Sequence, residues 1–387
     1  MEGLIIKINH ICFIVPNYPT KTDPMYTFVR ELTVAISQLG IKCSVVAPQS
    51  ITNFIFKKSR KRPFYWKDKT KENNVIDVYQ PIHFPFLNIG FKGRNLAGYL
   101  TSFAVKYAFK KNKLKPDVLY AHFWHSGVIA AELALKSKIP VFVATGESKI
   151  WVESLYSRKR IDKAKKSIKG VISVSVKNLK ESIGLDLCKK EKAIVLPNAI
   201  NPNQFYKIDK QQARKKLNID NESFIIAFTG SFSHRKGALR VAKAIENLHG
   251  VKAIFIGSGE QKIQGNNILI AKRLPHNEIV NYLNTADVFV LPTLAEGSSN
   301  AIIEAMACGL PIISSNLPFN DELLNEENSI RIDPNSIEEI RKAIVLLRDN
   351  KDKRTKMAKA SLNRAKDLEI KARARRIVKF IDEHVKF

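Results

Sequence analysis

The sequence predicts an α/β protein built from two doubly wound domains, and three observations carry that reading. Short apolar runs alternate with longer segments of helical period along the chain; the pattern restarts near Phe224; and 387 residues exceed one ordinary core. In the first half the apolar runs are residues 11–15, 43–47, 117–121, 140–144, 170–174 and 193–196, with helical segments such as 26–39 and 127–136 between them. In the second half they are 224–228, 252–256, 287–291 and 311–314. Near-continuous apolar strands, each followed by a helix, indicate parallel sheets covered on both faces. Pro197, Asn201, Pro202 and Asn203 interrupt the pattern and place a hinge near residues 197–206. The expected domains are therefore 1–200 and 201–367. A closing helix, about 368–387 with an apolar stripe of Ile377, Phe380 and Ile381, is expected to pack back on the first. In such sheets ligands bind outside the carboxyl ends of the strands, which directs attention to the loops after Val15, Ala121, Ala144, Phe228, Ile256 and Leu291.

Composition narrows the partners. Apolar residues at 45% and charged residues at 26% are a globular balance, not a disordered one. The formal charge of +28 calls for an acidic partner: nucleotide, nucleic acid or an anionic membrane face. Lys7, Asn9 and His10 break the first apolar stretch, which reads as a strand and not as a signal peptide, and no run approaches the ~20 apolar residues of a spanning helix. Cys12, Cys43, Cys188 and Cys308 form no CxxC pair, which fits buried thiols in a reducing compartment. A cytoplasmic protein, peripheral on the inner face of the cell membrane, is the expectation. Residues 57–71 combine a dense basic cluster with Phe64, Tyr65 and Trp66; they read as a loop that either contacts anionic lipid or is simply solvated. No helix-turn-helix, zinc-finger or RNP pattern accompanies the charge, so nucleic acid is the least favoured partner.

The segment that carries chemistry is 291–315, LPTLAEGSSNAIIEAMACGLPIISS. A strand ends at Leu291, a short loop holds Glu296, and a helix opens near Ser298–Asn300 with Glu304 about one turn inside it. Glu304 sits among Ala301, Ile302, Ile303, Ala305, Met306 and Ala307, and a buried carboxylate needs partners. First-turn amides around Gly297, Ser298, Ser299, Asn300 and Ala301, with the helix's partial positive charge, suit a diphosphate. The two carboxylates can then accept hydrogen bonds from sugar hydroxyls. The alternative is a Glu304 merely paired with a buried Arg or Lys.

Here the chain resembles glycosyltransferase family 4, retaining enzymes of the GT-B fold, in which two doubly wound Rossmann-like domains face each other across a cleft. The resemblance rests on Glu296-x7-Glu304 followed by AMACGLP, on TGSFSHRKG (229–237), IGSGE (256–260) and LPNAIN (196–201), and on the 117–122 segment with Gly127. It implies that Glu296 holds hydroxyls of the donor sugar, Glu304 the ribose, and Lys236 the diphosphate, with no obligatory metal or other cofactor. The donor would be a UDP- or GDP-linked sugar and the acceptor a glycan or lipid-linked glycan, in surface polysaccharide assembly. Gly230, Ser231, Gly257 and Arg273 complete the donor-side candidates; His122, Gly146 and Glu147 are the acceptor-side ones. The sequence departs from the family at three places. Ser231 stands where an Arg is usual, so that Arg235 is the candidate substitute; Thr145-Gly146 replaces a His-Gly pair; and the loop after the first strand, PNYPTKTDPMY, has no glycine. Two other readings stay open: a sugar-nucleotide epimerase or phosphorylase on the same fold, and an inactive basic protein that binds membrane or nucleic acid.

Overall fold

The computed structural model describes residues 7–20, 25–51, 62–70, 73–84, 90–91 and 94–385. The chain divides into two compact units, Met1–Leu196 with Ile370–Phe387, and Pro197–Glu369. The division falls before Pro197 and not at 200/201 because the linker is bonded into the second unit. The Asn198 amide side chain donates to Ser298 O (3.0 Å) and Asn300 Oδ1 (2.8 Å), and Ile200 N donates to Leu368 O (2.8 Å).

The first unit contains an eight-stranded sheet of β1 (His10–Ile14), β2 (Lys42–Val46), β3 (Tyr65–Lys69), β4 (Val75–Tyr79), β5 (Val118–His122), β6 (Val141–Thr145), β7 (Ile168–Ser173) and β8 (Ala193–Val195), in the order β8-β7-β6-β5-β1-β2-β4-β3. All neighbours are parallel except β3, which runs antiparallel to β4. Residues of β5 and β6 are buried throughout, as strands with helices on both faces require. The covering helices include α1 (Thr27–Ser37), α2 (Leu96–Lys111) and α3 (Phe123–Ser137). The closing helix, here α6 (Ile370–His384), packs on α1 and β7 and buries Ile377, Phe380 and Ile381; Phe380 meets Phe142 edge-on at 6.0 Å between ring centroids.

The expectation of a loop across 57–71 is corrected for Tyr65–Lys69, which form the edge strand β3; residues 57–61 and 71 lie outside the described residues. Lys67 and Lys69 point outward, and the inward Asp68 is held by the Arg30 guanidinium (2.6 Å) and the Tyr18 hydroxyl (2.9 Å). Outward lysines and an inward charge are the usual protection of a sheet edge against further pairing.

The second unit holds a six-stranded, wholly parallel sheet of β9 (Phe224–Thr229), β10 (Val251–Ile256), β11 (Ile268–Lys272), β12 (Val288–Leu291), β13 (Ile312–Ser315) and β14 (Ser329–Ile332), ordered β11-β10-β9-β12-β13-β14. The order reverses at β9/β12, so the loops after those two strands are where a ligand is expected. The helices that follow them are α4 (Ala238–Ile245) and α5 (Asn300–Ala307). No helix among the described residues is long and apolar enough to cross a membrane.

Candidate active site

The loop after β9 is fixed to the loop after β12 by contacts that only a glycine permits at 237. Gly237 caps α4 at φ 81°, and a Cβ there would lie 2.7 Å from Pro292 O. Leu294 N donates to Arg235 O (2.8 Å), Arg235 Nη1 donates to Ala295 O (2.7 Å), and Arg240 Nη2 donates to Pro292 O (2.8 Å). These bonds carry Arg235 and Lys236 to the loop of Glu296. The Lys236 ammonium contacts Glu296 Oε1, Arg235 Nη1 stands 3.6 Å from the same oxygen, and the Thr293 hydroxyl donates to it at 3.1 Å. Lys236 and Glu296 are largely shielded, with side chains 15% and 12% exposed, so the charges act with less screening than surface groups would.

Helix α5 begins where the sequence places it. Ser299 is its cap, accepting from Ile302 N at 3.4 Å, and the first-turn amides have no helical carbonyl behind them. Asn198 braces Ser298 and Asn300 from the linker, holding the start of the helix in one conformation. Glu304 is 7% exposed, and its partner is neither Arg nor Lys: His276 Nε2 lies 3.0 Å from its Oε1, with the His276 ring against Phe205 at 5.1 Å.

Among the donor-side candidates, Lys236, Arg235 and Glu296 converge on one point, and Gly297, Ser298, Ser299 and Asn300 form the opening of α5. Gly230 and Gly257 are placed by backbone packing: a Cβ on Gly257 (φ 154°) would lie 1.8 Å from Gly230 O. Ser231 is exposed and bonded to Ser233 (3.0 Å), and Arg273 is exposed just beyond β11, with no partner among the described residues. His276, Asn198 and Thr293 were not anticipated. His276 follows β11, an exposed strand whose short apolar run, 268–271, was not counted among the strands.

In the first unit, His122 closes β5 with its ring buried and its Nδ1 without a partner among the described residues. Burial and the nearby Arg373 push its pKa down to about 3. Phe123, next in the chain, has φ 69°, a strained position for an aromatic residue. The Glu147 carboxylate accepts from Trp124 N (2.8 Å), the Thr145 hydroxyl (2.7 Å) and Gly146 N (2.9 Å), and burial raises its pKa. Glu147 thus holds the turn that follows β6 around Gly146 against the start of α3. His125, bonded to the Tyr156 hydroxyl at 2.8 Å, is likewise pushed down to about 4, chiefly by burial.

A pH dependence follows. Both folded-state values lie below that of a free histidine, so the stabilising contribution is complete above pH ~6.5 and is lost as pH falls toward the folded values. Each ring contributes at most about 1.4 kcal/mol per pH unit in that window. Thermal unfolding at pH 7 and pH 5 should show a lower Tm at pH 5, and His122→Phe should reduce the difference; an equal difference in the variant contradicts the assignment.

Residues 209–364 match the family model described as glycosyl transferases group 1. The chain is 27% identical over 353 residues, 86% of its length and 88% of the relative's, to a Bacillus subtilis protein assigned to teichuronic acid biosynthesis as the glycosyltransferase TuaC. Over 190 residues (43% of this chain, 49% of the relative) it is 32% identical to an Escherichia coli UDP-Gal:α-D-GlcNAc-diphosphoundecaprenol α-1,3-galactosyltransferase. Among solved structures it superposes on sucrose-phosphate synthase from Thermosynechococcus elongatus (TM-score 0.77, 16% identity, 97% of this chain and 98% of that one). It also superposes on Anabaena HepE in complex with UDP and glucose (TM-score 0.72, 16% identity, 97% and 100%). The family match falls on the unit that holds Lys236, Glu296 and Glu304, and the superpositions give the chain the GT-B fold.

Proposed function

We propose that the chain is a retaining, metal-independent glycosyltransferase of family 4. It moves a hexose from a UDP- or GDP-linked donor to a glycan or lipid-linked acceptor in cell-envelope polysaccharide assembly, working at the inner face of the cell membrane. The observation that carries the reading is the convergence of Lys236 and Arg235 on Glu296, on the same unit as the capped start of α5. Departure of a nucleoside diphosphate builds negative charge, and a fixed ammonium, a guanidinium and free amides offset it without reorganising. On donor binding, Lys236 exchanges Glu296 for phosphate oxygens, and Glu296 turns to hydroxyls of the transferred sugar. Glu304, oriented by His276, accepts from the ribose hydroxyls. The acceptor attacks on the face the diphosphate leaves, so no protein nucleophile is assigned. UDP in the HepE complex and the diphosphoundecaprenol acceptor named for the Escherichia coli relative support a nucleotide donor and a lipid-linked acceptor.

A thermal-shift panel of UDP- and GDP-sugars tests the donor, since a ligand that binds only the folded form raises Tm, by about 2.7 kcal/mol of stability at a hundred times Kd. Proton NMR of the product formed from the selected donor then reads the anomeric centre. Retention supports the proposal. An inverted product contradicts the mechanism, and free sugar or an epimer formed without acceptor supports the hydrolysing or epimerising reading instead.

A further inference from the structure

Helix α2 carries aromatic rings among lysines on the side where a surface helix is ordinarily polar throughout. Its inner face buries Thr101, Ser102, Ala104, Val105, Ala108 and Phe109. Its outer face, from 99 onward, presents Tyr99, Phe103, Lys106, Tyr107, Lys110 and Lys111, and every one of these is aromatic or lysine. Tyr99, Phe103 and Tyr107 lie at helical spacing i, i+4, i+8 and are 44%, 72% and 48% exposed. The helix contains no acidic residue, and Lys113 and Lys115, just past its end, are exposed as well. An ordinary amphipathic helix would carry mixed charges at those positions, and aromatic rings are costly to leave in water.

The patch extends beyond the helix. Phe64 packs edge-on against Tyr107 at 6.2 Å, and the Lys111 ammonium sits over the Phe64 ring at 4.6 Å and the Tyr107 ring at 5.5 Å. The short strand Ile82–His83 packs on α2 and leads to Phe84, 58% exposed. The Arg160 guanidinium backs the Tyr99 ring at 3.8 Å, holding it in place. Tyr99, Tyr107 and Lys111 are thus braced from behind, as is Lys106 by Glu132 at 3.9 Å, and all the outer-face side chains of the helix are exposed.

We propose that the exposed face of α2, with Phe64 and Phe84 beside it, docks on an anionic lipid bilayer, its rings at headgroup depth and its lysines on the lipid phosphates. Charge selects this occupant. Tyrosine and phenylalanine interleaved with lysine along one face of a helix lying in the plane match an interfacial helix, which takes its affinity from buried apolar area and from attraction to anionic lipid. A protein-binding face of this size would be expected to favour arginine and to be depleted in lysine; here the cations of the outer face are three lysines. The proposal deepens the reading above, because a lipid-linked acceptor lies in such a surface, yet it predicts lipid binding whether or not transfer occurs.

The test is flotation of the full chain with vesicles of phosphatidylcholine alone and of phosphatidylcholine mixed with phosphatidylglycerol. The wild type should float with the mixed vesicles, less so as salt is raised. Lys106→Ala/Lys110→Ala/Lys111→Ala should lower partitioning roughly a hundredfold, and Phe103→Ser/Tyr107→Ser should lower it at all salt concentrations. Both variants should keep the wild-type Tm and donor-induced thermal shift, because the altered side chains are exposed and lie in the other unit from Lys236. Lys351→Ala/Lys353→Ala/Lys359→Ala, an equal charge loss at exposed positions of the second unit, should float like the wild type. Wild-type flotation of both face variants overturns the proposal. So does an equal loss in the second-unit variant, which would make net charge the cause. Loss of single-stranded RNA binding with vesicle binding intact overturns it too, and assigns the face to nucleic acid. Absence of any donor-induced shift in the wild type, with vesicle binding as expected, leaves the docking face standing and removes the transferase reading.

Discussion

Lys236→Ala is expected to lower turnover by about 10²–10³-fold, the scale of removing one fixed charge-stabilising donor from a developing anion. The ammonium stands at the point where the loops after β9 and β12 are tied together, in contact with Glu296. In the variant, Glu296 keeps the Thr293 hydroxyl at 3.1 Å and Arg235 at 3.6 Å, so the carboxylate is not stranded and the fold should survive with little change in Tm. The loss should fall on kcat more than on KM, because the charge that Lys236 offsets grows as the diphosphate departs. Release of nucleoside diphosphate from the donor that the thermal panel selects, measured beside thermal unfolding, separates the two effects. Turnover within about threefold of the wild type would remove Lys236 from the role given to it.

Gly257→Ala is expected to destabilise the second unit by roughly 3 kcal/mol or more, among the larger effects a single methyl group can have. The loops after β9 and β10 are joined backbone to backbone: Gly230 N donates to Ile256 O (3.0 Å), Phe232 N to Ser258 O (3.0 Å) and Gln261 N to Phe232 O (3.1 Å), and Phe232 pairs with Gly259. A Cβ at 257 meets Gly230 O at 1.8 Å, and neither backbone can yield without displacing the segment that ends in Lys236. Gly250→Ala is the control. It has φ 72° with nothing within 4 Å of the added atom, so only the left-handed cost of about 1–2 kcal/mol applies. Equal Tm values for the two variants would show that the loops separate freely and that Gly257 is not required by packing.

The contrast between those two glycines marks what the sequence could and could not disclose. The resemblance put Gly257 among the donor-side candidates, but the reason a glycine stands there, two loops brought within bonding distance, is a property of the tertiary fold. Strands buried on both faces, such as β5, β6, β9 and β12, were legible because their residues are apolar up to a closing His122, Thr145 or Thr229 in the first three. The edge strand β3 was not, because its lysines alternate with an inward aspartate and imitate a solvated basic loop. Lys236, Glu296 and Glu304 were legible as a spaced motif. His276 and Asn198 reach the site only by folding, one from beyond an exposed strand and one from the linker segment LPNAIN, whose resemblance to the family does not disclose what Asn198 bonds to. The aromatic stripe of α2 is the converse case: Tyr99, Phe103 and Tyr107 at helical spacing look like core until the structure shows them outside.

The central claim is that a diphosphate rests at the start of α5 beside Lys236, with Glu296 and Glu304 on the two sugars. A crystal structure with the donor's nucleoside diphosphate bound tests it most directly. The prediction is phosphate oxygens within hydrogen-bond distance of Lys236 Nζ and the first-turn amides of α5, Lys236 released from Glu296, and Glu304 accepting from the ribose hydroxyls. A nucleotide bound elsewhere, with Lys236 still on Glu296 and Glu304 bonded to His276 alone, would contradict it.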